Sequence, residues 1–303
     1  MTKLGRRKVI KVGIEDEKGQ AVSAPAIDLL CYEPSINPTD NTIQREPAGE
    51  FGGQAKAERG PSVGTCTVRT ELRSDGQSAL DAGLLVLFQG CGMKLADGVL
   101  SPVTAVADQK TVTIDVYEDG LKKRLYGAMG TWELSGESGK QVFVEFTFTG
   151  IFMSEADASL PATAHTAAAP MRAAAVTLDI GGHTPKVSRF TINPNNPVEA
   201  REDATAAEGI AHYIVGAGRR YVIGMDPEAE PTATWDINAL WAGKDEKNFS
   251  LTLSDGIVDV TIAAPKLQQT APQEALREGK LIHTMSAQCN ADEGDDELTI
   301  SVA

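Results

Sequence analysis

The stretch QVFVEFTFTG, residues 141–150, decides the fold class. Val142, Val144, Phe146 and Phe148 fall on one side of an extended chain, and Glu145, Thr147 and Thr149 on the other. That period of two marks a strand with one buried face, because successive side chains of a pleated strand point to opposite sides. Residues 135–140, SGESGK, form a turn-rich break just upstream. Before it, TVTIDVYEDGLKKRLYGAMGTWEL, residues 111–134, alternates Val112, Ile114 and Val116 with polar residues up to Asp119-Gly120. Asp-Gly between alternating runs is a hairpin signal, since both residues tolerate the left-handed backbone of a tight turn. Two consecutive hairpins are therefore expected.

Further out, TCTVRTELR, residues 65–73, sets Cys66, Val68 and Thr70 against Thr67, Arg69 and Glu71, another half-buried strand. The period then changes. Leu80, Leu84, Leu87, Phe88 and Cys91 follow the i, i+4, i+7, i+8 spacing of one helix face. Ser78 is read as the cap of this helix, and Gly90 or Gly92 as its end.

Residues 161–175, PATAHTAAAPMRAAA, hold eight alanines bracketed by Pro161 and Pro170 and read as an inter-domain connection. An alanine-rich helix is the rival reading, and the prolines oppose it. Beyond this stretch the order of elements recurs. LLCYEPSINP (29–38) is echoed by SRFTINPNNP (188–197), and the 65–73 strand by RRYVIGMDP. The helix from 80 is echoed by TWDINALWAG, with Ile237, Leu240 and Trp241 on one face, and the Asp119-Gly120 hairpin by LTLSDGIVDVTIAAP around Asp255-Gly256. KLIHTMSAQC then stands where QVFVEFTFTG stood. The expectation is a duplicated, mainly β chain: one domain over 1–160, a connection over 161–175, a second domain over 176–303, each with one helix.

With 303 residues, 42 acidic and 28 basic groups and a formal charge of −14, the chain is a poor candidate for gripping nucleic acid through a basic patch. No run approaches the ~20 apolar residues of a membrane-spanning helix, and the start, MTKLGRRKVIKVGIEDE, turns acidic where a signal peptide runs apolar. Cys31, Cys66, Cys91 and Cys289 show no paired spacing and read as small buried hydrophobes in a reducing compartment.

Catalytic constellations are missing. His165, His183, His212 and His283 are scattered, and no nucleophile elbow, zinc-protease or phosphate-loop motif occurs. No catalytic residue, cofactor or metal site is assigned. GAGRR (216–220) reads as a turn into the next strand, and NADEGDDE (290–297) lacks the ligand spacing of a calcium loop and reads as a solvated acidic loop.

The ordered set Phe88 to Gly92, Tyr117 to Gly130 and Val144 to Gly150 resembles a family of major tail tube proteins of long-tailed, non-contractile bacteriophages, siphophages. There a helix ending in a Leu-x-x-Cys-Gly-like segment precedes a Tyr-x-Asp-Gly hairpin with two downstream glycines and a strand of alternating phenylalanines ending in Gly. The resemblance covers about a hundred residues of the first half, and the second half follows by element order alone. It implies tandem β-sandwich or barrel-like tail-tube domains, each with a flanking helix. Six such domains would ring a channel, so three chains would close a ring with pseudo-sixfold symmetry. Rings would stack into the hollow virion tail through which DNA is ejected, after assembly in the host bacterial cytoplasm. The implied partners are further copies of the chain, the tape-measure protein, the tail terminator and tail tip proteins. DNA would pass through the lumen without specific binding.

A channel for DNA needs walls that do not hold phosphates. The polar sides of the candidate inner strands meet that demand: Glu133, Glu145, Thr147 and Thr149 in the first half, and Asp259, Thr261, Ser286 and Gln288 in the second. Any solvent-facing strand side reads the same way. Arg6, Arg7, Lys8, Arg219 and Arg220 are the candidates for contacts between rings or subunits, although Arg6 to Lys8 also fit an ordinary first strand with charged flanks. Three alternatives stay open. One is a β-sandwich binding module, carbohydrate-binding or adhesin-like, for which only Trp132, Trp235 and Trp241 are available as platforms. The others are a β-sandwich hydrolase with a carboxylate pair and the tube protein of a contractile injection system.

Overall fold

The computed structural model describes residues 7–46, 48 and 53–303. The first half runs β1 (Lys8–Ile14), β2 (Ile27–Leu29), β3 (Tyr32–Pro38), β4 (Thr42–Ile43), β5 (Glu58–Arg59), β6 (Val63–Glu71), α1 (Ala82–Gly90), β7 (Met93–Ala96), β8 (Val99–Pro102), β9 (Val112–Glu118), β10 (Leu121–Glu137) and β11 (Phe143–Asp157). The second runs β12 (Thr177–Ile180), β13 (Arg189–Asn193), β14 (Val198–Glu202), β15 (Ile210–Val215), β16 (Val222–Met225), α2 (Ile237–Gly243), β17 (Glu246–Ser254), β18 (Asp259–Gln269), β19 (Gln273–Arg277), β20 (Lys280–Asn290) and β21 (Thr299–Val302). The chain is mainly β with two short helices.

The alternating stretch behaves as its pattern predicts: Val142, Val144, Phe146 and Phe148 are fully buried. Asp119 and Gly120 both take positive φ and close the β9–β10 hairpin, and the β17–β18 hairpin turns at Asp255-Gly256, where the Asp255 carboxylate accepts from the Ile257 and Val258 amides. Helix α1 starts later than expected. Its cap is Asp81, which accepts from the Gly83 amide, rather than Ser78, because Asp75 gathers the amides of Gln77, Ser78 and Ala79 into a separate turn. The helix is buried on almost every side. A side chain at Gly90 would meet Phe148 and Val112 at 2.9 Å, so only glycine lets the helix end lie on the sheet. In α2, Ile237 is buried and Leu240 half-buried, whereas Trp241 turns to solvent.

The ladders repeat. In the first half the strands pair in the order β3-β6-β11-β10-β9-β1, and in the second β13-β16-β20-β18-β17-β12. One helix lies between the second and fifth members of each set in the chain. The two sets are joined by the pairing of residues 134–137 of β10 with 189–192 of β13. One hydrophobic core follows this joint: Phe88 of α1 packs edge-on against Trp132 and Phe146, and Trp132 meets Tyr221 of the second half at 6.3 Å.

The expected barrel-like closure does not occur. Traced ladder by ladder, the main sheet branches and never returns to its starting strand among the described residues. The long strands change neighbours at irregularities instead, as strands do where they turn a corner between packed sheets. The β9–β10 ladder breaks between Leu125 and Ala128, where Gly127 has positive φ, and holds one further pair, Ala128 with Val112. The Gly127 amide there donates to the buried carboxylate of Glu15, which also accepts from the Gly19 amide and the Thr111 and Thr113 hydroxyls.

The halves also exchange hairpins. β8 of the first half pairs with β21 at the end of the chain. In return the β14–β15 hairpin covers Met129 and Ile151 of the first half with Tyr213 and Val215, and Gln109 brackets Val215 by bonding both its N–H and its C=O. Residues 161–175 form no helix. Their later part is stitched to the first half by bonds from the Met171 amide to the Leu72 carbonyl and from the Ala173 amide to the Lys140 carbonyl, which bury Met171 completely. Among the described residues no helix is long and apolar enough to cross a membrane.

Candidate functional site

Directly paired residues of a ladder share a face of the sheet, so register shows which predicted residues stand together. On the face away from the core, Tyr32, Arg69, Glu145 and Glu133 form one cross-strand row over β3, β6, β11 and β10. Ser35, Thr67, Thr147 and Thr131 form the next, and Thr65, Thr149 and Met129 a third, which the β14–β15 hairpin borders. The β10–β13 joint carries this face into the second half along Ser135, Thr191, Gly224 and Ser286, with Gln288 two residues further along β20. Six of the eight predicted residues, Glu133, Glu145, Thr147, Thr149, Ser286 and Gln288, therefore lie on one continuous sheet face. Thr147 and Thr149 hold the same places in the first set of ladders as Ser286 and Gln288 in the second.

Asp259 and Thr261 are elsewhere. They sit at the far end of β18, where Thr261 pairs with Thr252 of β17 and Ser301 of β21 rather than with β20, and the Thr252 and Thr261 hydroxyls are bonded at 2.9 Å. Periodicity along a strand gives the side a residue faces, and it is silent on which neighbours a bent strand has at each end.

The shared face is polar and carries few cations. Glu133 accepts from the Asn193 side-chain amide at 3.3 Å, and Gln288 donates to Gln268 and Asn290 at 2.9 and 3.0 Å. Arg69, which the reading of β11 alone missed, adds a guanidinium between Tyr32 and Glu145, lying 4.2 Å above the Phe143 ring. Its place was available from the 65–73 alternation, which puts it with Thr65 and Thr67.

The basic candidates are mostly engaged within the chain. Arg219 is held by Asp295 and Glu297, and Arg220 donates to Gln288 at 3.1 Å. Arg7 pairs with Asp119 at 2.9 Å, and Lys8 with Glu118 at 2.9 Å. Arg6 lies outside the described residues. The acidic loop is spent in the same way, on Lys266, Thr104, Arg219 and the backbone amides of 292–294. Among the described residues no cluster of ligating side chains could hold a metal. His212 and His283 are buried, and His183 stacks on Trp235 at 4.8 Å.

The sheet that bears this face, β3-β6-β11-β10-β13-β16-β20-β19, has two end strands: among the described residues β3 pairs only with β6 and β19 only with β20, and on the β3 edge the Pro34 carbonyl accepts from Lys8 Nζ at 3.2 Å. A sheet with one continuous polar face and two end strands suits lateral self-association, since unpaired N–H and C=O groups are templates for another strand.

A family model described as phage tail tube protein matches residues 5–296 of the chain. No curated protein matches it.

Proposed function

The chain belongs to the phage tail tube protein family, and from that premise, which makes it a structural subunit of the virion tail rather than an enzyme, we propose that it is the major tube subunit of a long, non-contractile tail. Two tandem β-sandwich units, 1–160 and 176–303 with 161–175 between them, supply two of the six positions of a ring. Three chains complete the ring, and rings stack into a tube because lateral contacts close while the upper and lower faces stay available. The observation that carries this reading is the β10–β13 ladder, which joins two sets of strands of identical pairing order into one sheet.

In this reading the face bearing Glu133, Glu145, Thr147, Thr149, Ser286 and Gln288 lines the lumen. DNA slides past hydroxyls, amides and carboxylates that offer phosphates little to hold, with Arg69 flanked by Glu145 and laid against the Phe143 ring. Asp259 and Thr261 are proposed for that wall on sequence pattern alone, and their pairing favours the other six. Arg6, Arg7, Lys8 and Arg220 are proposed for contacts between rings or subunits, with Arg219 bracing the loop beside them. The tape-measure protein would occupy the lumen before ejection, and terminator and tip proteins would meet the two ends.

Electron microscopy of the purified chain over a range of concentrations tests this. Hollow tubes with threefold rings are expected, with the named face on the channel. A chain that stays monomeric at every concentration, or tubes with that face outside, would overturn it.

A further inference from the structure

The internal joint between the halves is a template for the joint between chains. We propose that β19 of one chain pairs antiparallel with β3 of the next, in the register Glu274 to Ile36, Ala275 to Ser35, Leu276 to Pro34 and Arg277 to Glu33. This rests on the tube reading and supplies the backbone contact that it leaves open.

The register follows from the repeated ladders. Ser35, Ile36 and Asn37 pair with Thr67, Cys66 and Thr65, and Thr191, Ile192 and Asn193 pair with Gly224, Ile223 and Val222. Both triplets are followed by proline, Pro38 and Pro194, so β3 stands where β13 stands. Thr67 leads on to Thr147, and Gly224 to Ser286. From there β11 pairs with 131–135 of β10, whereas β20 continues against β19, with Glu274 opposite His283 and Ala275 opposite Ile282. β19 is therefore the counterpart of the end of β10. That end already binds β13, through Leu134 to Ile192, Ser135 to Thr191, Gly136 to Phe190 and Glu137 to Arg189. Transferred to the two end strands, those pairs become the four named above.

Backbone polarity agrees. The bond from the Thr39 amide to the Val63 carbonyl fixes which residues of β3 face β6, and leaves the Ile36 amide and carbonyl pointing outward, together with the Pro34 carbonyl, which already accepts from Lys8 Nζ at 3.2 Å and keeps one lone pair. In β19 the two-residue turn at Glu278-Gly279 makes Arg277 and Lys280 the closing pair, so Glu274 and Leu276 point their amides outward. The outward groups of the two edges meet in this register at Glu274 and Ile36, while the Leu276 to Pro34 and Arg277 to Glu33 pairs fall where β3 bulges between Tyr32 and Ser35 and Glu33 takes positive φ. Pro34 forfeits one donor, as edge-strand prolines do, which blunts the edge of the free subunit without removing its acceptors.

The side chains agree as well. Leu276 is 75% exposed although it lies on the core-facing side of the sheet, and it pairs with Leu281, itself 46% exposed. In the internal joint the corresponding Gly136 is covered by the Phe190 ring. In the proposed joint the large residue is on the other strand, so Leu276 would close over Pro34. The internal ladder ends on opposite charges, Glu137 with Arg189, and at the bulged end of β3 Arg277, held in the single chain by Asp226 and Glu228, would come near Glu33.

Disulfide trapping in assembled tubes tests the register. Ser35 and Ala275 would form a non-hydrogen-bonded pair, whose Cα atoms approach to about 4.5 Å, within disulfide range. The native thiols are poor competitors: burial pushes Cys31 and Cys289 up to about 12, and Cys66 and Cys91 are fully buried. The double variant Ser35→Cys, Ala275→Cys is expected to give reducible, chain-to-chain oligomers, and the off-register pair Asn37→Cys, Ala275→Cys to give few. Separately, Leu276→Pro removes an outward amide without touching the β20 ladder. It should raise the concentration needed for assembly roughly ten-fold while leaving the melting temperature of the free chain unchanged. Tubes that form normally but trap off-register as readily as in-register, or that tolerate Leu276→Pro, would overturn this ladder and leave the tube reading standing. A wild-type chain that forms no rings or tubes would overturn both.

Discussion

Asp115 and Arg124 are register partners on β9 and β10, and their side chains close a two-point ion pair, Nε to Oδ1 at 2.6 Å and Nη2 to Oδ2 at 2.7 Å. Asp115 is fully buried, and Arg124 nearly so, with its Nη2 also donating to the Ser23 carbonyl. Removing one member strands a charge in the interior. Arg124→Met is expected to cost about 3–5 kcal/mol in urea unfolding, whereas replacing both members with apolar residues of similar volume should recover most of that loss.

The joint between the halves has a similar one-sided tolerance. A Cβ on Gly136 would stand 2.3 Å from Cζ of Phe190, whose ring is buried. Gly136→Ala should destabilise the chain by about 1–3 kcal/mol. Combining it with Phe190→Ala should cost clearly less than the sum of the single changes in a thermal unfolding cycle, because the smaller side chain removes the collision.

Acid should unfold the protein in two stages. Burial, followed by the nearby Arg201 and Lys18 charges, pushes the His212 imidazole down. Burial pushes the Asp295 carboxyl up, but bonds from Thr104 and Arg219 more than offset it and leave it below the usual range. Asp296 is lowered by the amides of Glu293, Asp292 and Gly294. All three groups are depressed in the folded chain, so each contributes stability that is complete above its unfolded pKa and lost as pH falls. The urea midpoint should be flat above about pH 6.5, decline slightly below that as His212 charges, and fall steeply below about pH 4. His212→Gln should remove the upper step alone.

The lumen assignment predicts a change of function without loss of assembly. Glu133 and Glu145 are exposed neighbours in one cross-strand row. Changing both to Lys should still give tubes. Those tubes should retain short duplex DNA at about 50 mM salt and release it near 200 mM, while wild-type tubes bind none at either. Filter binding at the two salt concentrations is the measurement.

Much of this architecture was legible in the sequence because side-chain period and turn chemistry are local. Phe146 and Phe148 announced a buried strand face, and Asp119-Gly120 and Asp255-Gly256 announced their turns. The echo of SINP in TINP marked two strands that occupy equivalent places. What stayed hidden depends on backbone partners far apart in the chain. Nothing in the run around Leu134 says that it will bond Ile192, and nothing around Leu100 says that it will meet Ile300. Thr261 lies on the polar side of its strand as its alternation requires, yet it is half-buried and its neighbours are Thr252 and Ser301. Arg69 stands beside Glu145 only once β6 and β11 are paired, a relation that neither strand's own period contains.

The β10–β13 joint also bears on the thermodynamics of association. Two free domains meeting through such a short ladder would have to give up translational and rotational freedom for very few backbone bonds. Within one chain the covalent connection holds the partners at an effective concentration that no solution of separate domains reaches. In the proposed ring of six units built from three chains, every second junction would therefore be formed when the chain folds. Only the alternate junctions would depend on how much protein is present, and closed rings would be accessible at far lower concentrations than with the same six units unlinked.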